Sequence, residues 1–198
     1  MPGGDPAGDR SVVLPWSAVQ LYLIRHPRPQ VSAGLCYGQT DLPLAEDVAA
    51  CAASLRAALP SDAPCFTSPS QRCRLLAERL HPVPVVDARL MEMHFGLWEM
   101  QAWDDIPREA LDAWAADPLG FVPPGGESVS ALQARVLDFL AQHQHLPALT
   151  LVTHGGVIKL LAGLAAGEPT SVWQARKFDY GVLLPLQIGP LWHNAGHD

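Results

Sequence analysis

The chain has 198 residues, 48% of them hydrophobic and 17% charged, enough apolar side chain at this length to bury a substantial core and too much for a globally disordered chain. Thirteen Lys and Arg against 20 Asp and Glu leave a net charge of −7, which argues against a protein built chiefly to hold a nucleic-acid backbone or an acidic membrane. An anion-binding function would have to rest on a few basic residues gathered at one place.

Residues 1–18 are rich in Gly, Pro and Asp and lack the basic start and long apolar stretch of a secretory signal, so a disordered tail is expected there. Residues 19–198 are expected to form one domain. Val19 to Ile24 is a short apolar run suited to a strand, broken off at Arg25-His26-Pro27. Pro27 to Pro43 holds three prolines and two glycines and predicts a long structured loop. Ala45 to Leu59 carries Val48, Cys51, Ala52, Leu55 and Leu59 at helical spacing. Pro64 to Ser68 predicts a second strand, followed by a helix with Ser68 as cap, Pro69 in its first turn and Leu80 near its end.

Pro82 to Val86 is a third strand candidate, Arg89 to Trp103 reads as loop, and Glu109 to Ala116 as helix. Asp117 to Glu127, with three prolines and three glycines, is a further loop. Ser128 to His143 is the clearest helix, with Val129, Leu132, Val136, Leu137 and Leu140 on one face. Ala148 to Thr153 predicts a buried strand running into His154-Gly155-Gly156 and a helix from Val157 to Ala165. Val182 to Ile188 is a last strand, placed at an edge by Pro185. Alternating strands and helices predict an α/β fold, a mostly parallel central sheet covered by helices on both faces. The cysteines, Cys36, Cys51, Cys65 and Cys73, include no CxxC pair and read as reduced structural thiols of a cytoplasmic protein. No apolar run approaches the roughly 18 residues of a membrane span, and nothing in the chain signals an oligomeric state.

Two strands end alike. Ile24-Arg25-His26 and Val152-Thr153-His154 each place a histidine just past a strand's C-terminal end, the edge where open α/β sheets bind ligands. One such histidine is commonly a structural hydrogen-bonder; two, with Arg25 beside one of them, point to a site. Arg72 falls in the first turn of the helix after Ser68. It is a solvated helix arginine, one paired with Glu78, or a guanidinium aimed at the same crevice, where with Arg25 it would grip a phosphate. Glu92 and Glu99 lie in the apolar stretch Leu90 to Glu99. A carboxyl partly withdrawn from water favours its protonated form, which suits a proton donor, though capping or ion pairing explains such a residue equally well.

Leu23-Ile24-Arg25-His26, Thr67-Ser68-Pro69-Ser70-Gln71-Arg72, Glu92-Met93-His94-Phe95-Gly96-Leu97-Trp98-Glu99 and Val152-Thr153-His154-Gly155-Gly156 resemble, in order, the signature blocks of the histidine phosphatase superfamily, the phosphoglycerate-mutase-like proteins. The resemblance spans about residues 19–188. It implies a three-layer α/β sandwich and a phosphomonoesterase that works without a metal or other cofactor. It further implies that His26 takes the phosphoryl group as phosphohistidine. Arg25, Arg72 and His154 would form the phosphate pocket, and Glu92 would protonate the leaving alcohol and then activate water. Ser32, Tyr37, Gly38 and Gly155 fall on the substrate's side, and the implied partner is a small phosphorylated metabolite.

The departures narrow this. Pro27 replaces the usual glycine and removes an N–H, Ser32 stands for an asparagine, and Met100 replaces the glycine after Trp98-Glu99. The arginine that mutases use for a substrate carboxylate has no counterpart near Leu35 and Cys36, and the mutases' long insertion is missing. These differences favour a small phosphomonoesterase over a mutase-type phosphoryl transferase. Proton-donor chemistry at Glu92 speaks against a phosphate-binding module without catalysis. The loop Gly34 to Leu44 looks most like the α-ribazole phosphatase group of cobalamin biosynthesis, with Tyr37 suited to wall off a flat leaving group. His143, His145, His193 and His197 are expected to be solvated. Trp98, Trp103 and Trp114 are expected in the core, with substrate contact open to Trp98 or Trp103.

Overall fold

The computed structural model describes residues 18–189; the expected tail up to residue 17, and His193 and His197, lie outside them. Short apolar runs pair into a sheet of β1 (Val19–Arg25), β2 (Cys65–Thr67), β3 (Val85–Val86), β4 (Ala148–Thr153) and β5 (Leu183–Ile188), in the order β3-β2-β4-β1-β5. All neighbours run parallel except β5, which lies antiparallel at the edge beside β1. Pro185 sits opposite Tyr22 in that edge strand, where its missing N–H faces no neighbour.

Side chains of a strand alternate between faces, and each face carries its own apolar layer. Leu21, Leu23, Phe66, Leu149 and Leu151 pack on one side against α4 (Val129–His143) and α5 (Gly155–Ala166). Ile24, Cys65 and Val152 pack on the other against α1 (Val48–Arg56) and α2 (Gln71–Leu80). Each fully buried Leu, Ile or Phe contributes about 1.5–3 kcal/mol. Among the described residues the remaining helices are α3 (Arg108–Ala116) and α6 (Thr170–Gln174), and α6 has no counterpart among the expected elements. Among the described residues no helix is long and apolar enough to cross a membrane.

Local chemistry explains the shifted boundaries. Helix α1 starts at Val48, later than Ala45, because the Asp47 carboxylate accepts from Ala49 N–H at 2.8 Å and caps it. Helix α2 has Ser70, not Ser68, at its cap position. Helix α5 begins at Gly155, with His154 at the cap, so Gly155 and Gly156 form its first turn. On α4 the buried face includes Phe139, while Leu137 is only partly covered. The expected loop after β3 contains three short 3-10 turns, Ala88–Leu90, Gly96–Trp98 and Trp103–Asp105.

Candidate active site

The register of the central strands assembles the site. Ile24 pairs with Val152 and Arg25 with Thr153, so His26 and His154 leave the sheet side by side. Their ring centroids are 5.1 Å apart, edge to face. Thr67 pairs with Val152, which brings Ser68 to the same edge. Ser68, freed from capping, places Oγ 2.8 Å from His154 Nε2, and Cys73 Sγ lies 3.5 Å from the same nitrogen.

His26 is 2% exposed, and its Nδ1 donates to the Pro27 carbonyl at 2.7 Å. A carbonyl only accepts, so Nδ1 carries the proton and Nε2 presents its lone pair. Burial, with help from the Arg72 and Arg25 charges, pushes the His26 pKa down to about 3. Burial also holds His154 well below the usual histidine value, with His26 and Arg72 adding to the effect. Both rings are therefore neutral at pH 7.

Arg72 is fully buried and donates to Gly38 O at 2.6 Å and Thr40 O at 2.8 Å. Its burial rules out a solvated arginine, and Glu78 pairs with Arg74 instead. Arg25 donates through Nη1 to Phe178 O and lies over the Tyr180 ring, Cζ 3.9 Å from its centroid. The Nε groups of Arg25 and Arg72 are buried and have no hydrogen-bond partner among the described residues. Native proteins rarely leave such donors unpaired, and an anion would satisfy both.

Glu92 turns its carboxylate to the same place, accepting from Gly156 N–H at 3.0 Å and Met93 N–H at 2.9 Å. Arg135 fixes the backbone around it by donating to the carbonyls of Arg89, Met91 and Glu92. Glu99 does different work: it accepts from the N–H groups of Gln39, Thr40 and Phe95 and from the Thr40 hydroxyl. Burial opposes its charge, yet these donations outweigh burial and hold its carboxyl below the usual range. Glu99 thereby anchors the loop whose carbonyls receive Arg72.

A cavity of about 840 Å³ opens beside Arg25, Glu92, Gly155 and Gly156. Its walls include Met93, Phe95, Trp114 and Trp173, and the chain's two lysines, Lys159 and Lys177, both line it. Trp114, not Trp98 or Trp103, is the aromatic of that trio on the cavity. Trp103 stacks on Trp114, and Trp98 stacks on Phe121.

The structure thus gathers Arg25, His26, Arg72, Glu92, His154 and Gly155 at one sheet edge. Gly38 reaches the site through its carbonyl on Arg72; a Cβ there would stand 2.0 Å from Met93 O. Tyr37 donates or accepts at the Tyr180 hydroxyl, 2.6 Å away, while Phe95, Trp114 and Trp173 supply flat walls to the cavity. Ser32 is exposed on the loop, its carbonyl accepting from Leu35 N–H. His143 is not solvated: it packs on Phe66 at 4.4 Å and its Nδ1 donates to Phe139 O, whereas His145 is exposed. Tyr180, Arg135 and Lys159 carried no local sequence signal.

Fold and site together define a phosphate-handling α/β enzyme, and comparison with known proteins agrees. The profile of the histidine phosphatase superfamily (branch 1) matches residues 21–190, and the chain belongs to that superfamily. The adenosylcobalamin/α-ribazole phosphatase of Salmonella typhimurium is 32% identical over 173 residues, 80% of this chain and 85% of that protein. The protein of the same description from Escherichia coli is 32% identical over 120 residues, which span 58% of this chain and 59% of the relative. A crystal structure from Escherichia coli, provisionally described as an α-ribazole-5′-P phosphatase, superposes with a TM-score of 0.74 at 28% identity, covering 88% of this chain and 92% of that one.

Proposed function

We propose that this histidine phosphatase hydrolyses a small phosphate monoester through a phosphohistidine on His26, with α-ribazole 5′-phosphate as the substrate that fits best. The observation that carries this reading is the Pro27 carbonyl on His26 Nδ1, which leaves Nε2 as a neutral nucleophile within the fields of Arg72 and Arg25, whose Nε groups have no partner among the described residues. Nε2 attacks phosphorus in line as the P–O bond to the leaving group breaks. Protonated Glu92 gives its proton to the departing oxygen. In the second step the Glu92 carboxylate takes a proton from water, the water oxygen attacks phosphorus, and the N–P bond breaks to release phosphate and neutral His26. Arg25, Arg72 and His154 stabilise charge on the equatorial oxygens, so the steps require no metal.

The substrate assignment draws on the Salmonella and Escherichia relatives and on the cavity. A flat, largely apolar leaving group is matched by Phe95, Trp114 and Trp173. The same reading places the enzyme in the cytoplasm, supported by four unpaired cysteines. It requires no nucleic-acid partner, in keeping with the net charge of −7. The test is kcat/KM for α-ribazole 5′-phosphate, 3-phosphoglycerate and a sugar phosphate. The reading expects release of inorganic phosphate and clear preference for the first. Equal rates on all three would remove the substrate assignment, and isomerisation of 3-phosphoglycerate without phosphate release would make the protein a mutase.

A further inference from the structure

Two loops hold the arginines of the site, and a pair of tyrosines joins the loops. On one side, Gly38 and Thr40 turn their carbonyls onto Arg72, whose Cζ lies 5.7 Å from the centroid of the Tyr37 ring. On the other, the segment Phe178 to Gly181 wraps Arg25. Phe178 O accepts from Nη1, the Tyr180 ring lies under the guanidinium, and Gly181 N–H reaches the carbonyls of Arg25 and His26 at 3.1 and 3.2 Å. The Tyr180 ring also lies 5.6 Å from the ring of His26. Between the loops, 143 positions apart in sequence, the Tyr37 and Tyr180 hydroxyls stand 2.6 Å apart.

We infer that the Tyr37–Tyr180 hydrogen bond is a positioning clasp that sets the spacing of Arg25 and Arg72 for one phosphate group. Each ring supports one guanidinium, and the bond between the hydroxyls ties the two supports together. An arginine's fork binds a phosphoryl group well only when its plane and distance are fixed. Among the described residues neither guanidinium has a carboxylate within ion-pair distance to fix it; each is held by backbone carbonyls on a loop. Relative drift of those loops would therefore separate the two unpartnered Nε donors. The Tyr37 phenol suits the task because burial first, and then the Tyr180 hydroxyl, push it above its ordinary value.

This inference rests on the phosphatase reading only for its kinetic arm, so the test has two arms. Inorganic phosphate is titrated calorimetrically into wild type, Tyr37→Phe, Tyr180→Phe and the double variant, and KM and kcat are measured with one phosphomonoester. The Phe variants keep both rings in place. Each single variant should weaken phosphate binding and raise KM about fivefold, the scale of one net hydrogen bond, with kcat falling less. The double variant should be no worse than the weaker single, since both remove the same bond. Single variants that bind phosphate as wild type does, or losses that multiply in the double variant, would overturn the clasp. A wild type that binds phosphate but turns over no monoester would instead defeat the phosphatase reading, leaving the binding arm to judge the clasp.

Discussion

Proline at position 27 changes which backbone group serves His26. It removes an N–H but leaves a carbonyl, and that carbonyl fixes the tautomer that exposes Nε2. Because burial lowers the His26 pKa to about 3 from 6.5, an NMR titration of the free enzyme should show His26 neutral from pH 8 down to about pH 4. A midpoint near 6.5 would contradict the buried neutral ring. Stability follows with a definite sign. Between pH 6.5 and about 3 the unfolded chain binds a proton that folded His26 refuses, so this contribution is present above 6.5 and is lost as pH falls through that window. Urea unfolding should therefore show wild type losing more stability from pH 7 to pH 5 than His26→Asn. A second residue prediction concerns Gly156, where a Cβ would stand 2.2 Å from Glu92 Oε1. Gly156→Ala should displace that carboxylate, lowering kcat about a hundredfold, the lower end for a lost general acid, with little change in Tm. An unchanged kcat would free Glu92 from its assigned role.

At the scale of elements, the sequence showed most clearly what is local. A strand followed by Arg-His or Thr-His-Gly-Gly advertises itself within a few residues, as do the apolar face of α4 and the edge position of Pro185. Helix starts shifted where a cap decided them, as Asp47 does for α1. The irregular stretch from Ala88 to Asp105 was not legible because its order comes from afar: Arg135 on α4 holds the carbonyls of Arg89, Met91 and Glu92, and Met100 N–H donates to Cys36 O. Tyr180 was invisible for the same reason, its partner being Tyr37 across the chain. Met100 is the telling departure. It occupies a family glycine position with φ 66°, left-handed backbone that costs an L-residue about 1–2 kcal/mol. Its side chain is 45% exposed and so packs little. Met100→Gly should raise stability by about 0.5–1 kcal/mol after the entropy of the unfolded glycine is subtracted. The check is a higher urea midpoint at unchanged slope; a lower midpoint would mean that Met100 packing outweighs the strain.

Over the whole molecule the net charge opposes the substrate, while Arg25, Lys159 and Lys177 stand with Glu92 and Asp179 in the cavity lining. With net charge −7, the surface repels a phosphate ester at long range. Both lysines of the chain line the cavity, Lys159 half-buried and Lys177 exposed, and Arg25 lines it too. Among the described residues neither lysine has a carboxylate within ion-pair distance. Lys177→Gln should therefore lower kcat/KM at low ionic strength about threefold and flatten its fall with added salt, while kcat holds, because screening acts over a Debye length of about 10 Å at 0.1 M. A salt dependence identical to wild type would show that the cavity's field plays no part in drawing substrate in.

The covalent step at His26 decides whether this protein works through a phosphohistidine. Rapid mixing with a phosphomonoester labelled on phosphorus, followed by quenching in base and peptide mapping, measures it most directly. The predicted result is an acid-labile, base-stable phosphate on the peptide carrying His26, absent from His26→Ala together with turnover. Label on another residue, or wild-type hydrolysis by His26→Ala, would contradict it.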